Sequence, residues 1–277
     1  MKIVKKISEI KEIVSDFNKN KREINLIPTM GNIHPGHLSL LSEADKFDGI
    51  NIVSIFINPA QFNDLNDYNN YPKTFEADLD ILSKTNCKII FAPSRDAMYP
   101  EGVHFEKTVL KYRNILCDLS RPGHFDGVTT IVKILLDLIK PSKVFFGEKD
   151  FQQLKIIEQL IVQNNFNINL IRCSSIRDSN YMSLSSRYST FTQEQKRKFE
   201  NCATIINSNV LKIKKYFDKN ILDNMESELR NSGISKIDYC EVRNEMDLSI
   251  SKINDKSRLF IAFYLNNVRI IDNFILY

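Results

Sequence analysis

Two histidines near the start of the chain have a spacing that suits phosphate chemistry. His34 and His37 stand in the segment PTMGNIHPGHLSLL, residues 28–41, and the chain has only 4 histidines in 277 residues. An apolar run precedes the segment and an amphipathic run follows, so we expect a strand, a tight turn at Gly31 and a helix opening at Pro35. A helix N-terminus favours an anion through its free N–H groups, and two imidazole donors would add to it. The pattern predicts a phosphate site.

Two other interpretations of the histidine pair remain open. A single histidine here would more simply cap the helix or pack in the core, but a pair beside a glycine after a strand favours function. A metal site is also conceivable, although the motif holds no Cys or further His to complete a zinc set.

Amide side chains follow the next apolar run. Asn58 and Gln61 stand in NPAQF, directly after residues 50–57. Such neutral donor–acceptors suit a ligand with hydroxyls and a carboxylate, although Asn-Pro is also an ordinary turn.

Three further junctions carry basic or hydroxyl groups. FFGEKDFQQL (145–154) offers a lysine beside a glycine, an aspartate and a glutamine. SRPGHFDGV (120–128) brings an arginine and a histidine to the start of a helix, and SLSSRYS (183–189) joins hydroxyls to a guanidinium that could clamp a polyphosphate. Each also fits a solvated turn on its own, whereas together they favour a nucleotide-using enzyme.

The elements that must position these groups alternate along the chain. Short β-branched runs at 24–27, 50–57, 88–92, 143–146 and 168–171 predict strands, and APSRDAMYP (92–100) fits a plain loop. Between the strands lie helical patterns, the clearest of which ends at Pro141. This alternation is typical of an α/β fold with a doubly wound (Rossmann-like) parallel sheet, in which ligands bind at the carboxyl ends of the strands.

The last third of the chain predicts a smaller C-terminal α+β domain. Thr192 and Gln195 have capping-box spacing, and an apolar helical stripe then runs from Phe199 to Phe217. A shorter helix near 221–229 and three strand-like runs, KIDYCEV, LFIAFYL and VRIIDNFIL, follow. We place the domains at 1–175 and 176–277.

Composition limits the class of protein. The net charge is +4, and basic residues are mixed with acidic ones, so no nucleic-acid-binding stripe is expected. The five scattered cysteines form no C-x-x-C pair, which favours a reducing compartment. The N-terminus lacks the apolar core of a signal peptide, and no run is long enough to span a bilayer. We expect a cytoplasmic protein without a membrane partner.

Taken in order, the motifs resemble the pantothenate synthetase family. They are PTMGNIHPGHLSLL, SIFINPAQF, YPKTFEAD, SRPGHFDGV, FFGEKDFQQL, LSSR and, near the C-terminus, RIIDN. The histidine motif is shared with a wider nucleotidyltransferase superfamily that includes class I aminoacyl-tRNA synthetases. The combination of motifs belongs to this family.

The resemblance implies an ATP-dependent ligase. Pantoate would attack the α-phosphate of ATP to give pantoyl adenylate and pyrophosphate, and β-alanine would then release AMP and pantothenate. Mg²⁺ would bridge the phosphates without an assigned protein ligand, and the chain would form a homodimer. The resemblance implies catalytic roles for His34, His37 (the proton donor) and Lys149; ATP contacts for Met30, Gly36, His37, Gly147, Lys149, Asp150, Ile176, Leu184, Ser185, Ser186 and Arg187; and pantoate or β-alanine contacts for Asn58, Gln61, Tyr71, Arg121, His124 and Gln153.

One loop departs from the family pattern. Where the family reads DGLAxSSRN, this chain reads SNYMSLSSRY, so a glycine is lost and Tyr188 replaces an asparagine. The departure affects a loop that would close over the phosphates, but it keeps the Ser-Ser-Arg group. Two other functions compete with the ligase: transfer of AMP to a phosphate or nucleotide acceptor, which the neutral amides disfavour, and an inactive nucleotide-binding module, which the retained basic groups disfavour.

Overall fold

A computed structural model describes residues 1–105, 109–216, 218–251 and 256–277. By its internal contacts the chain divides into two compact units. The first comprises Met1–Arg113, Arg121–Glu148 and Gln153–Ser174, and the second comprises Asn114–Ser120, Lys149–Gln152 and Ser175–Tyr277. The domain boundary between residues 175 and 176 stays a prediction.

The first unit is built on a six-stranded parallel sheet. Its strands are β1 (Lys2–Val4), β2 (Ile24–Thr29), β3 (Ile50–Ile55), β4 (Ile89–Phe91), β5 (Lys143–Gly147) and β6 (Asn169–Cys173). They lie in the order β1-β4-β3-β2-β5-β6. All six residues of β3 are buried, as expected of a strand covered on both faces. The doubly wound parallel sheet is therefore confirmed, and the short strand β1 was not predicted.

Helices connect these strands. They are α1 (Ile7–Lys19), α2 (Pro35–Ala44), α3 (Leu65–Asn69), α4 (Phe75–Ser83), α5 (Arg95–Met98), α6 (Leu116–Ser120), α7 (His124–Ile139) and α8 (Phe151–Gln163). The predicted helix before Pro141 is α7, and it begins at His124 because Gly123, with φ 82°, turns the chain immediately before it. The segment 92–100, predicted as a plain loop, contains the single turn α5.

The second unit places helices against an antiparallel sheet. Its long helices are α9 (Gln193–Lys215) and α10 (Lys219–Asn231), and its strands β7 (Lys236–Asn244), β8 (Ser257–Leu265) and β9 (Val268–Ile275) pair in sequence order. The predicted capping box at Thr192 and Gln195 is present. The apolar stripe of α9 is buried in the core up to Ile213, whereas Phe217 lies outside the described residues. The smaller α+β part of the fold is confirmed.

Two general features of the described chain bear on function. All five cysteines are buried and none forms a disulfide. Among the described residues, no helix has the length and apolarity needed to cross a membrane.

Candidate active site

Three neighbouring strands of the first unit bring the predicted site residues to one edge of the sheet. The histidine segment follows β2, the amide segment follows β3, and β5 ends at Gly147. Because β3, β2 and β5 are adjacent and parallel, their carboxyl ends lie at the same edge. The strand order also changes direction between β2 and β5, which is where sheets of this kind bind ligands.

The two histidines stack at the start of α2, with ring centroids 4.0 Å apart. His34 caps the helix through its Nδ1, which accepts from the Gly36 N–H at 3.1 Å, and the His34 N–H donates to Nδ1 of His37 at 3.4 Å. Since both Nδ1 atoms accept, a neutral ring carries its proton on Nε2. In that form each ring carries a hydrogen-bond donor at Nε2.

This arrangement differs in one respect from the sequence expectation. The first N–H groups of α2 are not free, because His34 accepts from Gly36 through its ring and from His37 and Leu38 through its carbonyl oxygen. The capping role considered for a single histidine is therefore present at His34, and the cap fixes the orientation of its ring.

A buried carboxylate from α4 holds the loop that leads to this pair. Asp78 is only 2% exposed and accepts from the Asn32 N–H at 3.0 Å and the Ile33 N–H at 2.8 Å. Thr74 donates its hydroxyl to the same carboxylate. Gly31 has φ +80°, and a Cβ there would stand 2.9 Å from an Asp78 oxygen. Although the quoted motif YPKTFEAD contains Asp78, sequence reasoning gave it no role.

Gln61 has both ends of its side chain oriented by protein groups. Its Oε1 accepts from Asn58 Nδ2 at 3.1 Å, and its Nε2 lies 3.1 Å from the sulfur of Met30. Asn58 is 1% exposed and also donates to the Gly127 carbonyl at 3.0 Å. The structure therefore joins Asn58, Gln61 and Met30, three of the residues implied by the resemblance.

Arg121 and His124 contact the backbone of the same glutamine. His124 Nδ1 lies 2.7 Å from the Gln61 carbonyl oxygen, and Arg121 donates to that oxygen at 3.3 Å. A carbonyl oxygen only accepts, so Nδ1 of His124 carries the proton, and Nε2 can accept from Arg121 at 3.3 Å. Both residues hold the turn that carries Gln61.

Three other predicted residues of the first unit have fewer described contacts. Tyr71 is buried and packs edge-on against Phe62 at a ring distance of 5.6 Å. Gln153 lies on the first turn of α8 and is partly exposed. A Cβ at Gly147 would meet only Leu40, at 3.9 Å, so no neighbouring group in the described chain requires glycine there.

A cleft of about 870 Å³ opens at the same edge of the sheet, where residues 55–57 at the end of β3 and 92–94 after β4 line part of it. Met30, Gly31 and Asp78 line part of it, together with the basic residues Lys5, Lys6, Lys73 and Arg95. None of the other residues predicted to bind substrates lines it.

The remaining predicted residues belong to the second unit. Among them is Lys149, for which a catalytic role was predicted. Burial lowers the pKa of its ammonium, the carboxylates of Asp150 and Asp272 oppose this shift, and the guanidinium of Arg187 adds to it. The charge of Arg187 therefore acts on the pKa of Lys149 in the same direction as burial. A pair of cations that interact in this way is stabilised by a polyanion.

A second buried carboxylate, Asp272, organises the loop before the Ser-Ser-Arg group. It accepts from the Ser183 N–H at 2.8 Å and the Ser183 hydroxyl at 2.6 Å, and it pairs with Arg177 at 3.1 Å. Its neighbour Asn273 donates to the Lys149 carbonyl at 2.9 Å. Sequence reasoning quoted RIIDN only as part of the resemblance and missed this role.

The loop itself is anchored by local bonds and by one aromatic ring. Leu184 donates its N–H to Ile176 at 3.0 Å, so two residues of the predicted ATP set are adjacent. Ser185 caps the 3₁₀ turn Ser186–Thr190 and accepts from the Arg187 N–H at 3.3 Å. Tyr188, at the position where the family pattern has asparagine, packs on Phe199 with ring centroids 4.6 Å apart.

A doubly wound parallel sheet with a histidine pair at a helix N-terminus, beside oriented amides, defines a nucleotide-binding α/β enzyme. Comparison with known proteins narrows this class. The family model described as pantoate-beta-alanine ligase matches residues 2–275. The pantothenate synthetase of Thermosipho africanus is 35% identical over 100% of both chains, and that of Caldicellulosiruptor bescii is 36% identical over 99% of both.

Solved structures agree with this result. Pantothenate synthetase from Thermus thermophilus superposes with a TM-score of 0.90 at 27% identity over 100% of both chains. Pantoate-beta-alanine ligase from Francisella tularensis, solved as a complex with beta-gamma ATP and beta-alanine, gives 0.86 at 34% identity, covering 100% of this chain and 98% of that one. The chain belongs to the pantoate–β-alanine ligase family.

Proposed function

We infer that the chain condenses (R)-pantoate with β-alanine to pantothenate, using ATP and releasing AMP and pyrophosphate. The observation that supports this conclusion is a helix-capping histidine pair and an oriented glutamine that directly follow the adjacent parallel strands β2 and β3, in a chain matched by the family model over residues 2–275. The reaction proceeds through pantoyl adenylate. It needs no covalent bond to the protein, so catalysis rests on positioning and on stabilising charge.

We propose that the histidines and the cations act on ATP. Attack of the pantoate carboxylate on the α-phosphorus places negative charge on the phosphate oxygens and on the leaving pyrophosphate. The Nε2–H groups of His34 and His37 would donate to these oxygens, with His37 as the proton donor. Lys149 and Arg187 would supply positive charge, and polyanion binding would relieve their repulsion.

Other parts of the chain would contact the nucleotide less directly. Met30 and Gly36 adjoin the histidine pair along the chain, and Gly147 and Asp150 flank Lys149. We assign the ATP contacts to these residues and to Ile176, Leu184, Ser185 and Ser186.

We propose that amides recognise pantoate. Gln61 and Gln153 would bind its hydroxyls and carboxylate, and Tyr71 would lie close by. Arg121 and His124, which hold the Gln61 backbone, and Asn58, which holds its side chain, would support this recognition. In the second step the β-alanine amine attacks the acyl carbon, the acyl–phosphate bond breaks, and AMP leaves with the bridging oxygen.

We further propose that Mg²⁺ takes part as a complex with the nucleotide. The described residues contain no group of three or more His, Cys, Asp or Glu side chains that could hold a metal ion. The ion would bind mainly through phosphate oxygens and water, and it would neutralise phosphate charge. We also propose a homodimer, as the resemblance implies, and a cytoplasmic location, which the unpaired cysteines support.

A steady-state assay tests the proposed roles. Wild-type protein with ATP and Mg²⁺ should release pyrophosphate only after D-pantoate is added. Pantothenate should accumulate only after β-alanine is added as well. Lys149→Ala should lower the rate by at least about 100-fold. The matched control is Lys46→Ala, because Lys46 is exposed and paired with Glu43. A wild type that binds ATP but makes no pantothenate would exclude the ligase function, and an unaffected Lys149→Ala would exclude only that residue's role.

A further inference from the structure

Tyr99 connects a segment without assigned function to the proposed pantoate site. It follows α5, is 6% exposed, and its hydroxyl lies 2.7 Å from Asn58 Oδ1. Asn58 follows β3 and lies 41 positions away along the chain. The contact therefore depends on the fold and not on local sequence.

The orientation of the Asn58 amide is fixed by two backbone groups. The Ala60 N–H donates to Asn58 Oδ1 at 3.2 Å, and the Gly127 carbonyl accepts from Asn58 Nδ2 at 3.0 Å. A backbone N–H cannot accept and a backbone carbonyl cannot donate, so the reversed amide would lose both bonds. Tyr99 must then be the donor in its bond to Oδ1.

This orientation determines which end of Gln61 faces a ligand. The second Nδ2 hydrogen of Asn58 goes to Gln61 Oε1 at 3.1 Å, so that oxygen is already used as an acceptor. Nε2 of Gln61 lies 3.1 Å from the Met30 sulfur, which is only a weak acceptor. A substrate oxygen can compete successfully with sulfur for these N–H groups.

We propose that Tyr99 and Asn58 are positioning residues that fix the polarity of the Gln61 amide, so that Gln61 offers a donor to an oxygen of pantoate. The inference rests on the proposed pantoate-binding role of Gln61 and extends it to a residue outside the substrate contacts. Burial raises the pKa of the Tyr99 hydroxyl, so it stays protonated and keeps donating over the working pH range. We call the chain of hydrogen bonds from Tyr99 through Asn58 to Gln61 the relay. The relay favours ligand groups that accept hydrogen bonds.

Tyr99→Phe tests the relay because it removes one oxygen atom. We expect the KM for pantoate to rise by about three- to tenfold, the effect of one lost hydrogen bond, while the KM for ATP stays within about twofold. Tyr112→Phe is the matched control, since Tyr112 is another buried tyrosine of the first unit, and its ring packs under the ammonium groups of Lys111 and Lys155. Thermal melts verify that each variant is folded.

A double-mutant cycle separates positioning from general support. If Tyr99 acts through Gln61, then Tyr99→Phe added to Gln61→Ala produces no further rise in the pantoate KM. Additive effects, or a wild-type pantoate KM in Tyr99→Phe, would overturn the relay while leaving the role of Gln61 intact. An unchanged pantoate KM in Gln61→Ala would overturn both.

Asn58→Asp provides an independent variant. An ionised carboxylate cannot donate to Gln61 Oε1 or to the Gly127 carbonyl, so the pantoate KM should rise more than in Tyr99→Phe. The same selectivity is expected, with the ATP KM little changed. If Asn58→Asp raised both KM values equally, or neither, the relay would be refuted.

Discussion

Replacing Asp78 with asparagine should weaken the fold and slow adenylate formation together. The carboxylate is buried and accepts two backbone N–H groups, from Asn32 at 3.0 Å and from Ile33 at 2.8 Å. An asparagine has only one oxygen, so it would satisfy one N–H and present its own NH₂ to the other. One charge-assisted bond is lost, the other becomes neutral, and a buried donor is left unpaired.

The size of the effect follows from these losses. A hydrogen bond to a charged group contributes about 1.5–3 kcal/mol, and an unsatisfied buried donor costs about 1–3 kcal/mol. Because the loop can relax, we expect the free energy of unfolding to fall by about 2–4 kcal/mol. The loop leads directly to His34, and a displacement of about 1 Å at reacting groups can cost roughly 100-fold in rate. The kcat for pyrophosphate release should therefore fall by about 10- to 100-fold.

Urea unfolding and a pantoate-dependent pyrophosphate assay measure the two effects. Asp45→Asn is the control, since Asp45 is exposed at the end of α2 and accepts from the amides of Asn51 and Asn86. It should change the free energy of unfolding by less than about 1 kcal/mol. A wild-type unfolding curve and kcat for Asp78→Asn would refute the reasoning that this carboxylate holds the loop.

Three further changes have distinct expected outcomes. Gly127→Ala would place a Cβ 2.2 Å from the Ala60 carbonyl oxygen. Denaturant unfolding should therefore show a free energy of unfolding lower by about 1–3 kcal/mol, and the pantoate KM should rise. An unchanged free energy of unfolding would contradict the close approach of the two segments. Tyr188→Phe removes a buried hydroxyl that has no partner among the described residues, so Tm should rise by about 2 °C; a lower Tm would reveal a missed bond. Burial lowers the pKa of Lys149 below its ordinary 10.5, and bound phosphate favours the charged form, so ATP affinity should fall as pH rises and binding should take up protons at alkaline pH. Calorimetry in buffers of different ionisation enthalpy measures that uptake, which Lys149→Ala should lack.

The sheet could be predicted because its signal is local. Runs such as residues 50–57 and 143–146 are mostly apolar, and buried parallel strands are typically rich in apolar residues. Strand β1 was not predicted, because it has only three residues, lies at the sheet edge and belongs to a lysine-rich segment. The ends of the strands then indicated where chemistry should lie.

The supports of the site could not be predicted because they act over long sequence separations. Asp78 binds backbone groups 45 and 46 positions away, and Asp272 binds Ser183 at 89 positions. Neither carboxylate has a local pattern that indicates its partner. The amide orientation of Asn58 likewise depends on Gly127, 69 positions away. Residue types near the strand ends were informative, whereas the groups that orient them required the fold.

Transfer of an oxygen atom from pantoate to AMP tests most directly the central claim, which is that the reaction proceeds through pantoyl adenylate. D-Pantoate labelled with ¹⁸O in its carboxylate would be converted with ATP, Mg²⁺ and β-alanine, and the AMP would be analysed by mass spectrometry. Attack of the carboxylate on the α-phosphorus predicts that each AMP carries one ¹⁸O atom from the pantoate. Pantothenate formed together with unlabelled AMP would contradict the acyl-adenylate route and the roles assigned to the histidine pair and Gln61.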